Sequence, residues 1–291
     1  MAVNATVRTF APELWGQVDI FNSFYSGTYS LSPDARKAVL GIKSHFQKAL
    51  TLRDVALKIL PNLAMDEEEL RTKGFTSASN SNEFSVVIEE VFTELYSSVE
   101  CARKVITNVY KRTRRIKDST RKLFLSIKEN QLGDDFPSEL KAAILSAEWF
   151  DDLLAIRDEL THSDIGSCHR NQETGKVSYM HTGLKRKGSP LIIEDILQKC
   201  SDLIEGVNQF LGRVFAFLNA SLENTSISQL CGFFFGRAYM RTLTLEPRID
   251  YNSGICASRS WFDNDSSYRC PFTDSCGAYQ RAELNVLGAS N

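Results

Sequence analysis

Four long stretches of this chain repeat apolar residues every three or four positions, or at twice that interval, the spacing that gives a helix one continuous buried face. Ser32-Pro33-Asp34 opens the first with a capping hydroxyl and a proline at the first helical position; Val39, Ile42, Phe46, Ala49, Ala56 and Leu60 follow until Pro61. The second runs from Glu83 through Phe84, Ile88, Val91, Leu95, Val99, Ala102, Ile106 and Val109. The third follows Pro137-Ser138 with Leu140, Ile144, Ala147, Phe150 or Leu154, and Leu160. The fourth follows Ser189-Pro190 with Ile193, Ile196, Cys200, Leu203, Val207, Phe210, Val214 and Leu218. Stripes this apolar cannot stay in water, so the expected fold is all-α: one antiparallel bundle with Leu95, Leu160 and Val207 in a shared core.

The connections carry their own signals. Asp66-Glu67-Glu68-Glu69 opens a short acidic helix, residues 76–82 form a polar loop, and the turn-rich Asn171–Gly175 places a small β-hairpin insertion at about 165–188. The expected organisation is therefore a helical domain over residues 1–223, with its core at about 30–223. An appendage follows over 224–291, a helix from Ile227 to Met240 and then an irregular cysteine-containing segment.

Composition limits function less than it limits fold. With 291 residues, 43% hydrophobic and 24% charged, the chain is ordinary for a globular protein with a sizeable core. A formal charge of −2 means that any nucleic-acid surface must be a local basic patch. The first twenty residues lack a basic start followed by an apolar core, so no signal peptide is expected. The most apolar window, Val207 to Leu222, is broken by Asn208, Gln209, Arg213 and Asn219, and no membrane span is expected. Seven cysteines, an odd number, argue against a disulfide framework and for the cytosol. There is no Gly-rich phosphate loop, no His-Glu-x-x-His and no Gly-x-Ser-x-Gly, and no cofactor is expected.

The third stripe ends in Ile156-Arg157-Asp158-Glu159-Leu160-Thr161-His162. An arginine and a histidine can cleave RNA without a metal: the 2′-hydroxyl is a built-in nucleophile, an imidazole can move protons and a guanidinium can stabilise the phosphorane charge. Spacing alone is weak evidence, because 19 arginines and four histidines give roughly one Arg-x4–6-His match by chance. On a regular helix residues five apart are turned by ~140° and separated by ~7.5 Å, so Arg157 and His162 share no face. Fraying near Thr161 would bring them together, as would a two-fold axis setting this helix end against its copy. Asp158, four residues before His162, is placed to orient the imidazole. In the plain alternative Arg157 pairs with Asp151 or Glu148, and His162 merely ends a helix where an imidazolium suits the dipole.

A helical bundle with Arg157, polar Asp158 and His162 at the end of its third long helix, followed by Ser163-Asp164-Ile165-Gly166 and another long helix from Ile193, resembles the HEPN (higher eukaryotes and prokaryotes nucleotide-binding) family over roughly residues 30–223. The resemblance implies a metal-independent endoribonuclease of toxin or antiviral-effector type. It further implies a homodimer whose two Arg-His sets converge on one composite site, with RNA as substrate and an antitoxin or a nucleotidyltransferase as partner. Other branches of the family bind nucleotides or act as scaffolds without cleaving. The rival expectation is thus a non-catalytic helical module for a nucleotide, an RNA or a protein.

Three further groups stand out. Lys111, Arg112, Arg114, Arg115, Lys117, Arg121, Lys122 and Lys128 put eight positive charges in eighteen residues, with Asp118 as the only acid among them; this suits either a phosphate backbone or a solvated helix end. Cys256, Cys270 and Cys276, with Cys231 as a fourth, could hold a structural zinc. Gaps of thirteen and five residues lack the short C-x2–4-C hook, however, and buried free thiols are the alternative. His169 and His181 flank the hairpin turn as either a metal pair or surface residues, and His45 reads as a core-edge residue with a hydrogen-bonded partner.

Overall fold

A computed structural model describes residues 8–9, 14–162, 165–186, 189–234, 236–264 and 269–288. The elements, in chain order, are β1 (Arg8–Thr9), α1 (Gln17–Thr28), α2 (Pro33–Ile59), α3 (Leu63–Lys73), α4 (Ser79–Val109), α5 (Thr120–Lys128), α6 (Ser138–Leu145), α7 (Phe150–His162), β2 (Ser167–Arg170), β3 (Val177–Arg186), β4 (Ser189–Ile193), α8 (Ile196–Asn219), β5 (Ser226–Phe234), β6 (Arg237–Thr244), β7 (Ile255–Cys256), α9 (Arg259–Asn264) and α10 (Gly277–Gly288). They fall into two compact units, one of Ser30–Phe217 and one that joins Met1–Tyr29 to Leu218–Asn291. Residues 1–29, expected with the helical domain, thus group with the C-terminal segment.

The Ser30–Phe217 unit contains the four stripes. Ser32 Oγ accepts from Ala35 N at the start of α2, as the Ser-Pro-Asp signature predicts. Val39, Ile42, Ala49 and Ala56 are buried along α2, and Phe84, Ile88, Val91, Leu95 and Val99 along α4. At the other end of the acidic segment, Asp66 on α3 accepts from Asn80 Nδ2 (2.7 Å), Ser81 N (2.7 Å) and Ser81 Oγ (2.8 Å), satisfying the first turn of α4. The third stripe is not one helix but two, α6 and α7, parted at residues 146–149. Trp149 and Phe150 after that break pack with Phe124 of α5 and Phe210 of α8 at ring separations of 3.7–6.3 Å. Leu95 and Val207 are fully buried, whereas Leu160 is only partly so.

Two antiparallel sheets overturn the expectation of an all-α protein: the fold is mixed, although helices dominate. The first sheet, in the order β2-β3-β4, extends the expected hairpin by a strand; Ser167↔Met180 and Tyr179↔Ile193 fix its registers. The second, in the other unit, has the order β1-β5-β6-β7. Its β5 and β6 occupy the segment read as a helix from Ile227 to Met240. The misreading has a physical cause. Ile227, Leu230 and Phe234 lie at helical intervals, but β5 carries a bulge between Leu230 and Gly232 that shifts the alternation of a strand by one residue. A local core of Trp15, Ile20, Phe24, Leu243 and Ile249 holds α1 to this sheet.

Candidate functional site

α7 remains helical through His162, so the motif occupies its C-terminal turns without fraying. The Cα positions of Arg157 and His162 therefore stand about 140° apart around one axis, and the helix itself does not bring them together. The side chain of His162, and with it the expected contact of Asp158 to the imidazole, lies outside the described residues. The Asp158 carboxylate is described: its Oδ1 accepts from Arg157 Nη1 at 3.2 Å. The Arg157 guanidinium also lies over the ring of Tyr96 on α4, 5.0 Å from its centre. Of the two alternative partners, Asp151 holds Lys128 at 2.6 Å.

Tyr96 went unnoticed in the sequence because it follows Leu95 in an apolar stripe; only the packing of α4 against α7 sets it beneath Arg157. Burial raises its hydroxyl pKa above the ordinary value, reinforced by the charge of Glu100 and opposed by a hydrogen bond with Thr120 and by the Arg157 charge. The phenol thus stays neutral as the guanidinium's platform.

Asp158 also faces a groove of about 370 Å³ between α5 and α7. One wall is Arg121, Phe124, Leu125 and Lys128, the other Asp151, Leu154, Ala155 and Asp158. Both series follow the i, i+3, i+4, i+7 spacing of a single helix face. Two cations on one wall meet two carboxylates on the other, which leaves the groove nearly neutral.

The basic run is on the surface. Lys111, Arg112, Arg114 and Arg115 lie in the turns after α4, Arg121 and Lys122 open α5, and all six are exposed. A second groove of about 420 Å³ takes in Lys111 and Lys117 together with Arg103, Lys104, Asp34 and Asp118, and here the cations outnumber the acids. Arg103 is buried, pairs with Asp118, and leaves its Nε without a hydrogen-bond partner. The run therefore borders two grooves, and only the second is electropositive.

No protein-family model, curated protein or solved structure matches this chain. Its local chemistry must carry any functional argument.

Beyond the motif the chain is anchored at once. Gly166 N and Tyr179 Oη both donate to Glu89 Oε1, at 2.7 and 2.6 Å, tying the segment after α7 and strand β3 to α4. His45, as expected, has a partner: its Nδ1 lies 2.6 Å from Glu94 Oε2, and Lys48 Nζ is 2.5 Å from Glu94 Oε1. Burial of Glu94 opposes its charge, but the hydrogen bonds from Lys48 and His45 prevail and hold its carboxyl below the ordinary range. His169 is exposed on β2 and pairs in register with Ser178, whereas His181 is buried on β3; the two do not form a metal pair. Cys231, Cys256, Cys270 and Cys276, separated by up to 45 residues of sequence, line one cavity. Among the described residues no group of three or more His, Cys, Asp or Glu side chains is placed to hold a metal ion, and no helix is long and apolar enough to cross a membrane.

Proposed function

We propose that the protein is a metal-independent endoribonuclease of the HEPN type, acting in the cytoplasm as a toxin-like or antiviral effector. The observation that carries the reading is the regular course of α7 to its end at His162. With Arg157 and His162 about 140° apart around that helix, a second copy of the helix end is the route by which such residues would meet. In this reading two chains meet about a two-fold axis and pool two arginines and two histidines. An imidazole takes the proton of the RNA 2′-hydroxyl as that oxygen attacks the adjacent phosphorus. The guanidinium of Arg157 stabilises the charge on the equatorial phosphate oxygens, and the proton is delivered to the departing 5′-oxygen. The products are a 2′,3′-cyclic phosphate and a 5′-hydroxyl. The exposed cations at Lys111, Arg112, Arg114, Arg115, Arg121 and Lys122 supply an attraction for the RNA backbone that weakens with salt. A cognate antitoxin or nucleotidyltransferase would act by covering this surface.

One contact favours the non-catalytic reading. Arg157 already engages Asp158 and the Tyr96 ring, as a structural arginine would. RNA cleavage assayed in EDTA, beside the His162→Ala protein, separates the two. Cleavage that the substitution abolishes supports the enzyme; no cleavage across several RNAs, with RNA or nucleotide binding retained, supports the binding module.

A further inference from the structure

The four cysteines of the C-terminal region reach their common cavity from different elements. Cys231 is the extra residue of the β5 bulge, a device that re-aims a side chain out of the strand's alternation. Cys256 lies on β7 in register with Arg241 of β6. Cys270 and Cys276 bracket a tight run of turns in which Thr273 N donates to Cys270 O (3.3 Å) and Cys276 N to Phe272 O (2.8 Å). Gly254 lets β7 close onto β6: its φ is +81°, and a Cβ there would lie 2.3 Å from Thr242 O. A bulge and a glycine in the left-handed region thus set the backbone that carries Cys231 and Cys256.

The polar groups around the sulfurs are matched to thiolates. Arg241 Nε donates to Cys231 Sγ at 3.0 Å, Ser258 N to Cys256 Sγ and Phe272 N to Cys270 Sγ. Three of the four sulfurs therefore receive an N–H, although a neutral thiol is a weak acceptor. Arg241 is 3% exposed, and its other partners are the carbonyls of Tyr251 and Ser253 and the face of the Tyr251 ring. No carboxylate among the described residues neutralises it, and a buried guanidinium without an anion is costly. Four thiols that gave up their protons in this apolar cavity would need a metal to balance their charge.

Zinc would hold four sulfurs at about 2.3 Å from a single ion, so about 3.8 Å from one another. Among the described residues no such single-ion arrangement is present. An iron–sulfur cluster places its irons and sulfides between the cysteines and so tolerates a wider ring of ligands drawn from distant positions. We propose that Cys231, Cys256, Cys270 and Cys276 ligate an iron–sulfur cluster, with Arg241 as the buried cation beside its thiolates. Each thiol releases its proton to solvent as its sulfur bonds iron; sulfide and the mixture of ferric and ferrous iron that such a core contains are supplied from outside the chain, so assembly needs no further oxidant. With four thiolates, a [2Fe–2S] or a [4Fe–4S] core carries net negative charge, which Arg241 partly offsets.

The test uses the full chain purified without oxygen, and again after anaerobic incubation with ferric iron, ferrous iron and sulfide. Expected are at least two irons with matching acid-labile sulfide per chain and a visible sulfide-to-iron absorption band. Cys270→Ser and Cys276→Ser should each lower bound iron about tenfold or more, while Cys101→Ser, outside the cavity, should not. Should the cavity variants fail to fold, metal and sulfide analysis of the wild-type chain decides by itself. A chain free of iron after incubation, zinc in place of iron, or iron retained by folded cavity variants would each overturn the proposal.

Discussion

The two units of this protein hold their reactive side chains in opposite ways. In Ser30–Phe217 the motif residues belong to one helix, Arg157 and His162 lie five apart in sequence, and Asp158 borders an open groove opposite exposed Arg121 and Lys128. In the unit built around β5 and β6, cysteines from a bulge, a strand and both ends of a turn converge on a buried cavity around one arginine. The first arrangement is cheap to build and easy to read. The second needs long-range pairing and a close approach of β7 to β6 that only glycine allows at residue 254.

The comparison can be broken at its most demanding point first. If α7 completes a site with its two-fold copy, His162→Ala should reduce RNA cleavage by about 10²–10⁴ with the fold intact, and Arg157→Lys should also be damaging, because an ammonium lacks the planar fork. Unchanged rates in EDTA would make the motif an ordinary helix end. On the other side, Gly254→Ala combines a left-handed backbone with a collision against a carbonyl oxygen, and should cost about 2–5 kcal/mol in a denaturant titration. A midpoint that does not move would show that the approach of β7 to β6 is not under the constraint described here.

Smaller effects sharpen the contrast. Burial of Asp66 raises its pKa, but the hydrogen bonds from Asn80 and Ser81 outweigh this and leave it below the ordinary value. Its contribution to stability is therefore present above the unfolded carboxyl pKa and lost as the pH falls through the lower, folded one. Asp66→Ala should cost about 1–3 kcal/mol at neutral pH, and the difference from wild type should vanish in strong acid. An acid-denaturation profile in which the two proteins stay apart would refute the capping role. Least is expected of Ser32→Ala, about 1 kcal/mol, read as a lowered midpoint of thermal unfolding.

The same contrast explains what could be read in the sequence. α2, α4 and α8 follow their stripes because helix periodicity is local and Ser32-Pro33 announces its own cap. The break between α6 and α7 escaped notice because Ala147 and Phe150 keep the apolar spacing across it; both are buried, although residues 146–149 are not helical. β5 and β6 escaped because the bulge at Cys231 interrupts the alternation that identifies a strand. The candidate cysteines were identifiable by chemistry alone, since no short spacing survives when ligands come from four places. Tyr96 and Arg241 carried no signal at all: their importance lies in what stands opposite them.

Glu89 accepts from both Gly166 N and Tyr179 Oη, and this anchor limits the freedom of the motif. Four residue steps separate His162 from Gly166, a leash of at most ~15 Å between two fixed points. Substitution is resisted at the anchored end, where a Cβ on Gly166 would lie 2.3 Å from the Tyr179 ring. A loop this short has little closure entropy left to lose. The end of α7 is thus held near a fixed point, and a pull on it is transmitted through Glu89 to α4 and through Tyr179 to β3.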